Sequence, residues 1–230
     1  ETGGTSAVSG NVSYAALNSV GQMVAPPSCI APNTTYGLWC VDNTNRINGT
    51  AGVAAASATV FNNTIYVIGG TNGAAWQANV WSVLLNADGS LSRTWSTQTF
   101  ANLALGTSRG YSYAFSRSNP SSATYPGNLY VLGGCYIAGG GTGDDGIGCS
   151  TYFSEVYKCN ILANGLLEEA NANDCDTAGQ LQIDADTSAG GTGTQGIGLM
   201  SGTVYANRVY LIGGACSSVG TLGPCRAAFA

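Results

Sequence analysis

The side chains that could do chemistry in this chain are carboxylates. Its 230 residues contain no histidine, which removes the commonest general base, the commonest zinc ligand and the one side chain that ordinarily titrates near neutral pH. Asp144 and Asp145 stand in the glycine-rich run Gly139-Gly140-Gly141-Thr142-Gly143-Asp144-Asp145-Gly146, and Asp174, Asp176, Asp184 and Asp186 gather further on. Oxygen-rich loops suit Ca²⁺, which takes roughly six to eight oxygen ligands. No EF-hand and no Gly-Gly-x-Gly-x-Asp tandem accompanies Asp144, Asp145, Asp184 and Asp186, so a solvated loop stands against a calcium site as the plainer reading. The expectation is no catalytic residue, no metal and no cofactor. The stretch Gly190-Gly191-Thr192-Gly193-Thr194-Gln195-Gly196 lacks the Gly-Lys-Ser/Thr ending of a phosphate loop and reads as a connection.

Composition narrows the classes further. With 44% hydrophobic residues, 34 glycines, 12 acidic and 7 basic side chains and a net charge of −5, the chain is neither disordered nor a binder of nucleic acid, since the first needs high charge and the second a basic surface. Tyr36, Trp39, Trp76, Tyr111, Tyr113, Tyr136 and Tyr152 would serve a carbohydrate platform or ordinary core and rim packing.

Eight cysteines fall in local pairs: Cys29 with Cys40, Cys135 with Cys149, Cys159 with Cys175, and Cys216 with Cys225. An even count at short spacings, with no C-x-x-C and no histidine to complete a mixed metal site, reads as four local disulfides; buried free thiols are the alternative. Sequons begin at Asn11, Asn33, Asn48 and Asn62, and their agreement with the cysteines makes secretion the economical reading. Without an initiator methionine, a signal peptide or an apolar run of 18 residues, the expectation is a processed extracellular or cell-surface product with no membrane span.

Self-comparison reveals three segments with one pattern: Thr64-Ile65-Tyr66-Val67-Ile68-Gly69-Gly70, Asn128-Leu129-Tyr130-Val131-Leu132-Gly133-Gly134 and Arg208-Val209-Tyr210-Leu211-Ile212-Gly213-Gly214. Each is a buried-strand sequence stopped where the backbone needs close approach or positive φ. A second motif aligns without gaps over residues 11–21 (NVSYAALNSVG), 79–89 (NVWSVLLNADG) and 155–165 (EVYKCNILANG). Each copy predicts a strand running into a tight turn. Leu91-Ser92-Arg93-Thr94-Trp95 follows the central copy as its expected partner strand.

These motifs resemble the kelch family of β-propellers, whose repeats carry a hydrophobic strand ending in Gly-Gly and later aromatic positions. Trp81, Trp95 and Tyr157 occupy such positions here. The Gly-Gly pairs stand 64 (133 − 69) and 80 (213 − 133) residues apart, so the loops carry insertions. No Trp follows Gly21 or Gly165 as Trp95 follows Gly89. The resemblance implies an all-β fold of antiparallel four-stranded propeller-like blades in a single domain over residues 1–230. About three repeats are expected: blade 1 near 51–104, blade 2 near 105–186 and blade 3 near 197–230. The last is incomplete, and strand 9–25, with Asn11, Val12, Tyr14, Ala16 and Leu17, is expected to complete it within its own chain or a neighbouring one. Two enzyme families on related folds are set aside. The copper radical oxidases need histidine ligands, and the segment 86–95 departs from the sialidase Asp-box in its missing leading Ser and its Trp spacing.

Three blades are fewer than the roughly four to eight of a propeller. The chain is then a piece of a larger propeller, or copies combine their blades, or the N-terminal strand of one copy completes the sheet of the next by β-augmentation. The leading expectation is a non-catalytic extracellular structural or adhesive subunit that self-assembles by strand complementation into a surface fibre or layer, as a homo-oligomer or polymer. The alternative is a secreted carbohydrate- or protein-binding propeller module within a larger chain, with a glycan or protein ligand.

Overall fold

The computed structural model describes residues 9–26, 29, 34–49, 51–92, 94–99, 108–136, 149, 151–168, 175–180, 196–198, 200–218 and 221–224. Among them every regular element is a β-strand, and no helix long and apolar enough to cross a membrane is present. The N-terminal strands are β1 (Val12–Tyr14), β2 (Ala16–Leu17), β3 (Met23–Val24), β4 (Thr34–Tyr36) and β5 (Trp39–Asp42). Next come β6 (Ser57–Phe61), β7 (Thr64–Ile68), β8 (Asn79–Leu84) and β9 (Ser96–Thr99). The middle of the chain holds β10 (Tyr113–Ser118), β11 (Gly127–Leu132), β12 (Cys135–Tyr136), β13 (Thr151–Tyr152), β14 (Glu155–Ile161) and β15 (Cys175–Gln180). Last are β16 (Ile197–Gly198), β17 (Ser201–Tyr205), β18 (Arg208–Ile212), β19 (Ala215–Ser218) and β20 (Thr221–Pro224).

Two complete blades follow. The orders β6-β7-β8-β9 and β10-β11-β14-β15 are four-stranded antiparallel meanders in chain order. Their middle strands are the two sequence motifs, and both are hydrophobic because both of their faces are covered. In β8, Val80, Trp81, Ser82 and Val83 are all buried; Tyr157 of β14 takes the place of Trp81 and is buried too. The β6–β7 hairpin turns on Asn62 and Asn63, and the β17–β18 hairpin on Ala206 and Asn207. All four have positive φ, the two-residue turn whose twist matches the flanking strands.

The expected partner strand at 91–95 lies further along. Leu91 makes only a bridge to Leu85, and the regular strand begins at Ser96. Residues 86–90 form a compact loop in which Asn86 N–H donates to Ser90 O at 2.8 Å and Gly89 N–H to Asn86 O at 3.0 Å. This delays the return ladder. Trp95 therefore stands before the strand, its indole Nε1 donating to Asn45 O at 2.9 Å. In the second blade β15 is the outermost strand without any tryptophan; the Cys159–Cys175 disulfide ties it to β14 at directly opposed positions.

The blades stack through their first strands, β6 against β10 and β10 against β17. Tyr66, Ile68 and Val80 of the first blade pack with Ala114, Leu129, Val131 and Tyr157 of the second. Leu132 of the second packs with Met200 and Leu211 of the third, joined by Tyr113, Phe115, Tyr130, Val156 and Val209. Each blade thus shows one face backward and the other forward, alternating residue by residue along the Gly-Gly strand.

Candidate assembly edge

The third blade departs from the other two. β17 and β18 form a two-stranded sheet among the described residues, with the ladder continuing past the Gly-Gly pair into β16-β19-β20. β7 and β11 each carry a strand on both edges, whereas among the described residues β18 pairs only with β17. The backward face of β18 is used, since Leu211 is buried against the second blade. The forward face is not. Tyr210 is 38% exposed where Tyr66 is 0%, and Ile212 is 65% exposed where Ile68 is 1%.

The glycines record the same difference. Gly69, Gly70, Gly133, Gly134, Gly213 and Gly214 all have positive φ, a conformation that side chains with a Cβ resist. At Gly69 a Cβ would also stand 2.1 Å from the carbonyl oxygen of Arg109, the residue that leads into the second blade. Gly70 N–H donates to that same oxygen at 2.8 Å. A Cβ on Gly213 would meet nothing within 4 Å. Among the described residues, no blade covers the forward side of the third as the second covers that of the first.

Arg109 is a buried charged group at the junction of the first and second blades, and its surroundings are structural. Nη1 donates to Gly133 O at 3.0 Å, and the guanidinium lies 4.0 Å from the Phe153 ring centre and 5.0 Å from that of Tyr157. Burial draws its pKa below the ordinary arginine value, opposed by Tyr157 and Glu155. The nearest approach to Glu155 Oε2 is 4.0 Å, so the ion pair is loose and the rings and the carbonyl hold the side chain. Tyr66 acts similarly. Burial pushes its hydroxyl up to about 12, and the protonated group donates to Gly165 O at 2.7 Å, linking the first blade to the turn of the second.

The N-terminal segment is built like the outer half of a blade. Asn18, Asn86 and Leu162 each accept at O from the N–H three residues on, at 2.9, 3.0 and 2.9 Å, and donate from N to the O four residues on, at 2.9, 2.8 and 2.8 Å. Gly21, Gly89 and Gly165 close these turns at φ 80°, 81° and 81°. Leu17 faces Met23 as Leu85 faces Leu91 and Ile161 faces Leu167, the same register shifted by 68 (85 − 17) and 76 (161 − 85) residues. Above this turn β1 pairs with β5 of its own chain, Val12 opposite Asp42, and is the end strand of the sheet β1-β5-β4.

Of the expected site residues, Asn11 is exposed, Val12, Tyr14 and Ala16 are half-buried, and Leu17 is exposed. Disulfides join Cys29 to Cys40, Cys135 to Cys149 and Cys159 to Cys175, which fits an oxidising compartment. The Cys216–Cys225 pair lies outside the described side chains, as do Asn33, Asp144, Asp145, Asp184 and Asp186. Asn62 is exposed on its hairpin turn, while Asn48 is half-buried and its Nδ2 donates to Gly52 O at 3.1 Å. No metal-ligating cluster occurs among the described residues. The role of Arg109 has no local signal in the sequence, because contacts between blades leave no periodicity within one.

Antiparallel four-stranded blades with positive-φ diglycines, stacked face to face, define a β-propeller-like fold of the kelch type. The chain carries a Kelch motif, matched over residues 53–83, which hold β6, β7 and most of β8. Among curated proteins no match is found. Among solved structures the chain is similar to one titled "Structure of YjhT", at 15% identity and a TM-score of 0.45, covering 75% of this chain. The match spans 45% of that chain's length.

Proposed function

We propose that this chain is a non-catalytic, secreted structural or adhesive subunit of the cell surface that self-assembles by strand complementation into a fibre, a layer or a closed oligomer. The observation that carries this is the third blade: a β18 edge that none of the described strands pairs, beside a forward face on which Tyr210 and Ile212 are exposed. An open strand edge with apolar side chains is a template for another strand unless something covers it. The contact is heterologous, a forward face meeting a backward one, so repetition closes a ring or extends a filament. Supporting features are the three disulfides, the sequons, the lack of histidine and the low charge, which leaves little repulsion between copies. Electron microscopy of native material tests this reading. Regular fibres, sheets or closed rings are expected, and a uniform field of single three-bladed particles would overturn it.

A second reading, a carbohydrate- or protein-binding propeller module within a larger chain, draws on Leu38 and Trp39, both nearly half exposed at the tip of the β4–β5 hairpin. An exposed Trp offers an apolar ring face to a sugar or peptide. Glycan binding by isolated single copies, lost in Trp39→Ala, would favour this reading over assembly.

A further inference from the structure

We infer that the open edge of β18 in one copy takes β1 of a second copy, with Ile212 opposite Val12, Leu211 opposite Ser13 and Tyr210 opposite Tyr14. This rests on the assembly reading above and adds the donor segment, its register and the residues that meet.

The register follows from two precedents inside the molecule. In the first blade Ile68 pairs with Val80, Val67 with Trp81 and Tyr66 with Ser82. In the second, Leu132 pairs with Val156, Val131 with Tyr157 and Tyr130 with Lys158. Both ladders join the Gly-Gly motif to the second motif at the same relative positions. Carrying them to the third Gly-Gly strand and the first copy of the second motif places Ile212 on Val12. A further bond agrees: Gly69 N–H donates to Asn79 O at 2.9 Å and Gly133 N–H to Glu155 O at 3.0 Å, which assigns Gly213 N–H to Asn11 O.

The donor has the right shape and a side that no described strand pairs. Its β2–β3 turn repeats the hydrogen bonds and register of the turns after β8 and β14, so it enters as the outer half of a blade. Among the described residues β1 pairs on one edge only, with β5, and is the end strand of its sheet. β1 and β18 are therefore two end strands with complementary sequence positions, and they make no ladder with each other within one chain. The donor's own first blade begins shortly after β5, and its half-buried Ile65 and Val67 lie on the backward face. Docking β1 on β18 carries that blade toward the exposed Tyr210 and Ile212. One contact thereby covers both the edge and the face.

The test is cross-linking of the full chain carrying Val12→Cys and Ile212→Cys, using a short bis-maleimide reagent. Opposed positions in antiparallel strands have Cβ atoms about 5 Å apart. The control pairs Val12→Cys with Arg208→Cys, four residues along β18 and so about 13 Å away. Expected is a ladder of covalent oligomers for the first pair and none for the control. An added peptide of residues 9–26 should suppress assembly of the unmodified chain, which checks the donor without any substitution. If the protein assembles but the first pair gives no ladder, or the peptide has no effect, the donor or register is wrong while the assembly reading stands. A cross-link within single chains overturns the exchange between copies. Absence of any assembly removes both.

Discussion

Ile212 stands in β18 where Ile68 stands in β7, and the two differ in exposure from 65% to 1%. The Tyr two residues before each, their diglycine endings and their positive-φ glycines match. What differs, among the described residues, is that a following blade packs against Ile68 and none packs against Ile212.

Truncating the two residues should therefore have opposite signatures. Ile68→Ala removes packing from a filled site and should cost about 2–5 kcal/mol of folding stability. Ile212→Ala should change single-chain stability by less than about 0.5 kcal/mol, as at other exposed positions, while weakening assembly. Denaturant melts paired with a size measurement on both variants check this.

The diglycines give a parallel pair. Gly69→Ala drives a methyl into the carbonyl of Arg109 and adds left-handed strain, so the folded chain should not accumulate. At Gly213→Ala the strain acts alone, about 1–2 kcal/mol, because nothing lies within 4 Å of the added atom. Thermal unfolding of the second variant and soluble yield of the first are the measurements.

Much of this was legible in the sequence, for physical reasons that also mark where reading stops. The Gly-Gly strands and the three turns at Gly21, Gly89 and Gly165 show themselves because backbone sign and strand burial constrain residue type locally. β15 was hidden because Cys175–Gln180 carries neither repeated motif and no tryptophan. The pairing of β1 with β5 was hidden too, since the short Trp39–Asp42 strand carries neither motif. Arg109 was invisible, its partners Gly133, Phe153 and Tyr157 all lying well beyond it in sequence.

The Cys159–Cys175 bridge joins the last two strands of the second blade across a separation of 16 residues. Replacing both by serine should lower stability by about 3 kcal/mol, the loop-entropy value for this length. Chemical denaturation under non-reducing conditions compares the variant with the parent.

Acid should loosen the N-terminal sheet through Asp42. Burial alone would raise its pKa, but donors from Asn45 and Thr44 outweigh it and hold the carboxyl below the ordinary value of 3.8. Because the folded value is depressed, this stabilisation is fully present above the ordinary value and is lost as pH falls through the folded one. Asp42→Asn should reduce stability at neutral pH and flatten its decline in acid, measured by melts across a pH series. With no histidine in the chain, no histidine titration contributes between pH 6 and 8, so assembly should change little there, about the range that side chain ordinarily covers.

Sedimentation velocity of the intact protein weighs the matter most directly, because it reports how many chains travel together without any variant or label. The expected result is species at multiples of the 23.2 kDa chain, dissociating when residues 1–25 are deleted. A single species of one chain at every concentration would contradict strand exchange as the purpose of the open third blade.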